Sequence, residues 1–421
     1  MFNISKMFKQ KNIQITLNKW RVFTFILILI QSIGIRFFQG QGFVLSIFII
    51  SLSYKGFYFV NKKDIIFIFF ALAFLVICKV VNFYVFSMVS FLYEMLLVIS
   101  IYLFILQYKQ KISLLSIEFF TALKILVYHA LIGYCIYLFF PNEFVSVNVM
   151  NKSFLHLFYV SSSDYNGITR NTGLFWEPGV FQLIANLYLF FCIKFRKSIL
   201  SIIIAFFAVL SSFSTDGFIV LIINFSYFIY RQKQIRKISI LYLVLGMILL
   251  IFFIPLFLKN TSNKMSGDNT SSLVRYRDFL IGIELIKESP IIGHGIFDSN
   301  YLLSIPYVSN LESDIFSSEY LKETGNMGGG YTNGILGLIA WFGLPVSFLL
   351  YFFYYKNKFI DKNGIERFLF SLIFLLSMIS EPIAYTSLFL MFPFSYWILN
   401  GKVNNKNVNK HVLYLNNYCH L

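Results

Sequence analysis

Apolar residues run through this chain in blocks long enough to cross a bilayer, separated by short polar joints. The blocks lie near 22–38, 41–60, 64–82, 84–107, 117–140, 177–194, 198–214, 216–230, 238–258, 333–355, 367–380 and 383–399. A spanning helix needs roughly 20 apolar residues, so the pattern predicts about twelve transmembrane helices. The expected fold class is an all-α polytopic integral membrane protein. Arg36 and Lys55 fall near the ends of their blocks, where a long side chain reaches the interface. No internal repeat or low-complexity domain interrupts the series.

Two polar stretches break the rhythm, 141–176 and 259–332. Long connections without their own core are usually functional or disordered. The second is too rich in aromatic and branched residues for a solvated tail. Within it, LVRYRDFLIGIELIKESPIIGHG reads as an amphipathic helix lying on the membrane surface or roofing the bundle. Phe279, Ile283 and Ile286 repeat at i, i+4 and i+7, with Asp278, Glu284, Lys287 and Glu288 on other faces. Pro290 and Gly293 end it. The expected organisation is five helices over 1–140, a first loop over 141–176 and helices six to nine over 177–258. A second, larger loop over 259–332, three helices over 333–399 and a tail over 400–421 follow.

Composition agrees with a lipid-solvated chain: 58% hydrophobic, 13% charged, mean hydropathy +0.72. Soluble domains carry about 25% charged residues. The net charge of +16 would suggest nucleic acid until the charges are placed. With the N-terminus in the cytoplasm, most of the 35 basic residues fall on that side, including Lys19, Arg21, Lys62, Lys109, Lys194, Arg231 and Lys356. Most of the 19 acidic residues fall on the other. This is the positive-inside rule. The basic charge is therefore topology: both termini are expected in the cytoplasm, both long loops in the periplasm, and nucleic acid is not an expected partner. No apolar core followed by a cleavage site opens the chain, so no cleaved signal peptide is expected. Cys78, Cys135, Cys192 and Cys419 sit in spans or the inner tail, which predicts no outer disulfide, and no spacing suggests a metal.

The candidate chemistry starts at RNTGLFWEPG, residues 170–179. Pro178 suits the first turn of a helix, where its missing N–H costs nothing. The sixth span runs from outside to inside, so its positive end faces outward, with Glu177 as cap and Arg170 one short loop away. Two readings fit. Backbone N–H groups, helix dipole and guanidinium form an anion site, or an Arg170–Glu177 bridge pins the loop. In SSFSTDGF, ordinary N-capping accounts for Ser214, Thr215 and Asp216. SEPIAY supplies a second Glu-Pro corner at Glu381–Pro382. GNMGGGYTNG (325–334) lacks the lysine and preceding strand of a phosphate loop and reads as a hinge. Glu94 lies mid-span, a functional candidate or an interhelical hydrogen-bonding group. Glu118, Lys124 and His129 share the fifth span, the first two near its inner end.

In this order, RNTGLFWEPGVFQ, SSFSTDG, RYRDFLIGIELIKESPIIGHGIF and GGGYTNGILGLIAWFG resemble the O-antigen ligase and polymerase superfamily of bacterial membrane glycosyltransferases. The resemblance covers roughly residues 165–350. It implies a helical bundle with a periplasmic cavity in the inner membrane, needing no cofactor, metal or nucleotide sugar. Polymerases of that superfamily join undecaprenyl-diphosphate-linked oligosaccharide repeats on the periplasmic face; ligases move the finished polymer to the lipid A core. The implied partners are that lipid-linked oligosaccharide and the bilayer, with a chain-length regulator as a further candidate. On the family pattern Arg170 falls on the first-loop arginine. Arg275 and Arg277 fall on those opening the second loop's helix, and the Arg277-to-Gly293 spacing resembles that of polymerases.

One departure bears on the choice within the superfamily. Ligases are expected to carry a histidine just before the span that follows the second loop. Here that stretch is Tyr331-Thr332-Asn333, and the nearest histidine, His294, lies elsewhere in the pattern. Polymerase is therefore the reading, with ligase second. A lipid-linked oligosaccharide flippase has as many spans but no need of a large outer loop with paired arginines. The expected catalytic residues are Arg170, Glu177, Arg277 and His294, and the expected substrate-binding residues Arg275, Asp216 and Asn333. Glu177, Asp216 and His294 are the candidate proton acceptors, Glu177 chiefly as an orienting group for Arg170 and the acceptor hydroxyl.

Overall fold

The computed structural model describes residues 17–38, 40–82, 88–147, 152–161, 169–235, 270–296, 308, 332–360 and 363–400. The predicted ninth span (238–258), the glycine tract before Thr332 and the tail beyond Asn400 lie outside the described residues. The other blocks become helices: α1 Lys19–Ile33, α2 Gln41–Leu52, α3 Lys62–Val81, α4 Met88–Leu106, α5 Ile112–Phe139, α6 Pro178–Lys194, α7 Ile199–Ser211, α8 Thr215–Ile235, α10 Gly334–Tyr355, α11 Gly364–Ser380 and α12 Ser387–Leu399. The amphipathic segment of the second loop is α9, Thr270–Glu288. Among the described helices, α3, α4, α5 and α10 are long and apolar enough to cross a membrane; α2, α6, α7 and α12 are apolar but shorter. The architecture is that of a largely helical, multi-pass membrane protein.

Three expectations are corrected. The fold is not purely helical: Val145–Val147, Lys152–Leu155 and Phe158–Ser161 form a three-stranded antiparallel sheet, β1 to β3 in order. Alternating branched and aromatic residues fit a pleated surface, and the β3 strand packs on α5, where Phe158 stacks on His129 with ring centres 5.0 Å apart. The block at 41–60 is not one helix: α2 stops at Leu52 and a 3₁₀ turn, Tyr54–Phe59, follows. The buried face of α9 is also not the one periodicity suggests. Arg277, Asp278, Ile281 and Leu285 are buried, while Phe279 is exposed. An ion pair spends its charge internally, so its two residues share the inward face with aliphatic neighbours.

The α6 helix occupies the centre. Every residue from Val180 to Lys194 is buried, and it packs against α5, α7, α8 and α11. A helix apolar all round is one surrounded by protein or lipid; here it is surrounded by protein. Its few polar side chains tie it to neighbours. Asn186 donates to Gln182 at 3.0 Å, Gln182 donates to Ser377 of α11 at 3.3 Å, and Asn224 of α8 donates to Asn186 at 2.9 Å. Such hydrogen bonds fix helix register where apolar packing alone is non-directional.

The helix ends sort by charge. At the basic end Arg21 grips Glu118 through two hydrogen bonds of 2.8 and 2.7 Å, and the Tyr108 hydroxyl donates to the same carboxylate at 2.7 Å. Glu118, in the second turn of α5, is fully buried. Lys109 pairs with Asp64, and Glu366 of α11 accepts from Tyr227 and lies 3.2 Å from Arg231. These pairs close α1, α3, α5, α8 and α11 together at one end. The opposite end carries the polar loops.

Between the ends, α10 breaks at Gly343, whose φ of 74° puts it in the left-handed region. The segment after α9 is docked into that break: His294 N–H donates to Ala340 O at 2.8 Å, Gly295 N–H to Trp341 O at 2.9 Å and Leu344 N–H to Pro290 O at 2.8 Å. A Cβ on Gly343 would run into the backbone of Ile291. Gly343→Ala is therefore expected to undock 290–295. Strain at such a position costs on the order of 1–3 kcal/mol, read as a lowered unfolding temperature in detergent; an unchanged temperature refutes the docking role.

Candidate functional site

The site is built on the first turn of α6. Glu177 is its N-cap residue by position, with extended backbone (φ −139°, ψ 155°), and Pro178 takes the first helical position as expected. The Glu177 side chain does not cap; its carbonyl instead accepts from Val180 and Phe181 at 3.2 and 3.1 Å. The carboxylate is exposed and free to face the loops.

The residues just before it, 169–176, are tied to neighbouring elements despite their polar sequence. Asn171 and Thr172 are fully buried. Asn171 N–H donates to Ser211 O at 2.8 Å, and its amide donates to Ala130 O and the Ser211 hydroxyl at 3.2 and 3.1 Å. Ile35 N–H donates to Leu174 O at 2.9 Å, and Ser161 N–H to Arg170 O at 3.0 Å. Arg170 thus stands on a backbone held by α5, α7 and β3. A charged group so braced loses little freedom on binding an anion.

Sequence reasoning passed over Lys152. It lies in β2, is 1% exposed, and its ammonium donates to the Thr172 hydroxyl. Burial pushes its pKa down to about 7, partly opposed by the charge of Glu177 and helped by that of Arg170. Lys152 therefore shares one electrostatic environment with both ends of RNTGLFWE. Its only signal in the sequence was a lysine within an alternating strand pattern.

Two further chain segments reach the same place. Arg275, near the start of α9, lies 3.6 Å from Asp216 in the first turn of α8. The expected capping role of Asp216 belongs instead to Ser214, whose hydroxyl accepts from Gly217 N–H at 3.5 Å. Glu381, the C-cap of α11, is buried. Its carboxyl sits against Gly179, where any Cβ would run into Oε1. Burial first, then the charges of Glu177 and Asp216, raise its pKa well above the usual carboxylate range, against Arg275 and a hydrogen bond from Trp176. The two Glu-Pro corners therefore converge on one helix turn. Arg170, Glu177, Lys152, Asp216, Arg275 and Glu381 form one mixed-charge cluster.

Three predicted site residues are engaged with partners outside it. Arg277 is buried and donates to Asp278 through Nε and Nη2 at 3.0 and 2.7 Å. Asp278 also accepts from Thr332 N–H and its hydroxyl, both at 2.6 Å, so the pair fastens α9 to the start of α10. Asn333 caps α10, accepting from Leu336 N–H at 3.0 Å. His294 meets Leu285 O through Nε2 at 2.9 Å and lies 3.8 Å from Glu288. Leu285 is ten residues along α9 from Arg275, about 15 Å at the helical rise.

Residues 200–341 match the family model described as O-antigen ligase, a family that includes O-antigen polymerases and ligases acting on lipid-linked oligosaccharides. The matched stretch runs from α7 into α10 and contains Asp216, Arg275, Arg277, His294 and Asn333. Arg170, Glu177, Lys152 and Glu381 lie outside it. No curated protein matches the chain.

Proposed function

We propose that this chain is an O-antigen polymerase, a membrane glycosyltransferase that joins undecaprenyl-diphosphate-linked repeat units at the periplasmic face of the inner membrane. The observation that carries the reading is the cluster on the first turn of α6, which combines family-matched residues of α8 and α9 with a guanidinium and a lysine from the first loop. The basic helix ends lie opposite, so the positive-inside rule puts this cluster in the periplasm and both termini in the cytoplasm.

The chemistry follows from charge. An acceptor hydroxyl attacks the anomeric carbon of the growing chain; the bond to the lipid diphosphate breaks and its electron pair leaves with that diphosphate. The departing group is anionic and needs fixed positive charge more than a proton. Arg170, Arg275 and Lys152 supply it beside the N-terminal dipole of α6, each charge-assisted contact being worth about 1.5–3 kcal/mol. Groups held in place beforehand avoid reorganisation during the reaction. Glu177, exposed at the centre, orients the acceptor hydroxyl and takes its proton. Arg277 and Asn333 support the cluster by holding α9 and α10 rather than by touching substrate.

Ligation is the second reading, favoured by the description of the matching family. Against it, Asn333 serves as a helix cap, the position before α10 lacks a histidine, and His294 is occupied with Leu285. Deleting the gene in its host and resolving the lipopolysaccharide by gel separates the two. Core bearing a single repeat is expected for a polymerase, and core bearing none would establish ligation or flipping instead.

A further inference from the structure

Three carboxyl groups, Glu177, Asp216 and Glu381, meet only a few cations at the first turn of α6. Glu177 is exposed and Asp216 lies against Arg275. Glu381 differs from both: it is 3% exposed, lies beneath the helix turn, and is closed in by Trp176 and Gly179. Its backbone is fixed as well, with Glu381 N–H donating to Ser377 O at 3.1 Å and Ile383 N–H to Glu381 O at 2.7 Å. Gly334 at the head of α10 abuts the Glu381 carbonyl. Three helices, α6, α10 and α11, thus converge to hold this one carboxyl.

We propose that Glu381 is a positioning residue of the diphosphate site, present there as a neutral carboxylic acid whose lack of charge lets the cluster accept an anion. The inference rests on the diphosphate reading of the cluster. Were Glu381 ionised, three carboxylates would face Arg170, Arg275 and Lys152, leaving no net positive charge for a ligand. With its proton in place and Lys152 protonated, three cations face two carboxylates and the cluster is net cationic. Burial and the neighbouring charges of Glu177 and Asp216 favour that protonated form, while Arg275 and the Trp176 indole oppose it. Anion binding and proton retention are then coupled: a bound diphosphate holds the proton, and loss of the proton expels the anion.

The test uses full-length protein in detergent, with inorganic pyrophosphate as probe, titrated calorimetrically from about pH 6 to about pH 9. Wild-type affinity is expected to fall across this range by about tenfold or more, the effect of one added charge at close range. Binding at the upper end should take up protons. Lys152 loses charge in the same interval, so the comparison that decides is Glu381→Gln, with Lys152→Met alongside. Glu381→Gln should bind as well as wild type at low pH, lose less affinity as pH rises, and take up fewer protons than Lys152→Met. A Gln variant that folds but does not bind, or that follows the wild-type profile, overturns the proposal. If that variant does not accumulate, infrared difference spectra of the wild type decide. The carbonyl stretch of a protonated, buried carboxylic acid should persist to higher pH with pyrophosphate bound, and the same loss with and without it overturns the proposal. Absence of pyrophosphate binding by the wild type at every pH would instead refute the diphosphate site itself.

Discussion

Arg170→Ala is expected to abolish polymer while the protein remains in the membrane at its normal level. The backbone around Arg170 is held by groups other than its side chain: Ser161 N–H on its carbonyl, and Asn171 on Ser211 and Ala130. Removing the guanidinium leaves that scaffold standing and takes one fixed positive charge from the cluster. At about 1.5–3 kcal/mol for a charge-assisted contact, each step of transfer should slow roughly ten- to a hundredfold or more, and because a long chain needs many such steps the ladder should be lost. Arg170→Lys should recover part of this, because an ammonium keeps the charge without the planar fork. The check is the lipopolysaccharide ladder together with membrane abundance. Wild-type banding in Arg170→Ala at normal abundance would mean that Arg170 only braces the loop. The site should also lose cationic character as pH rises through about 7, where Lys152 gives up its proton.

Arg277→Ala is expected to fail for another reason. On the family pattern alone, losing Arg277 should stop polymer formation and leave the protein intact. The structure places Arg277 at 1% exposure on a fully buried Asp278, which in turn holds the backbone and hydroxyl of Thr332. Truncating one partner strands a buried carboxylate, a change that costs about 3–5 kcal/mol. Reduced accumulation and a lowered unfolding temperature should therefore accompany the loss of polymer. Arg277→Ala with Asp278→Asn should recover stability, because no uncompensated charge then remains, although the Thr332 bonds weaken. Undiminished stability of the single variant would return Arg277 to the reacting groups.

Individual elements show how far the chain could be read unaided. The apolar blocks at 64–82, 117–140 and 333–355 became α3, α5 and α10 because lipid leaves backbone N–H and C=O groups no partner except within a helix. Pro178 at the head of α6 and the stop after Glu288 were equally legible, since both depend on local backbone chemistry. The sheet at 145–161 was less so: its strands are three or four residues long, too short for alternation to stand out. The inward face of α9 was misread because an adjacent Arg-Asp pair counts as polar in any periodicity, yet is nearly neutral once joined. Ser214, Thr215 and Asp216 were legible as a capping group, but not that Ser214 is the member that caps, because the geometry of one turn decides which oxygen reaches the N–H.

Position along the chain sufficed for the apolar blocks, for most of the described helices and for the charge asymmetry of the two ends, because each depends on the local balance of apolar area and charge. It also sufficed to mark Arg170 and Glu177 as unusual for their surroundings, whereas Arg275 was marked by the family resemblance. Tertiary structure alone decided which of the marked residues meet. Lys152, Asp216, Arg275 and Glu381 belong to four elements spread from β2 to α11, and they share one helix turn because α6 is buried at the centre with its N-terminus open to all of them. It also gave His294, Arg277 and Asn333 partners that only packing supplies. A hydrogen bond or a burial penalty between residues a hundred or more positions apart has no local signature, and those are the terms that set the charge of this site.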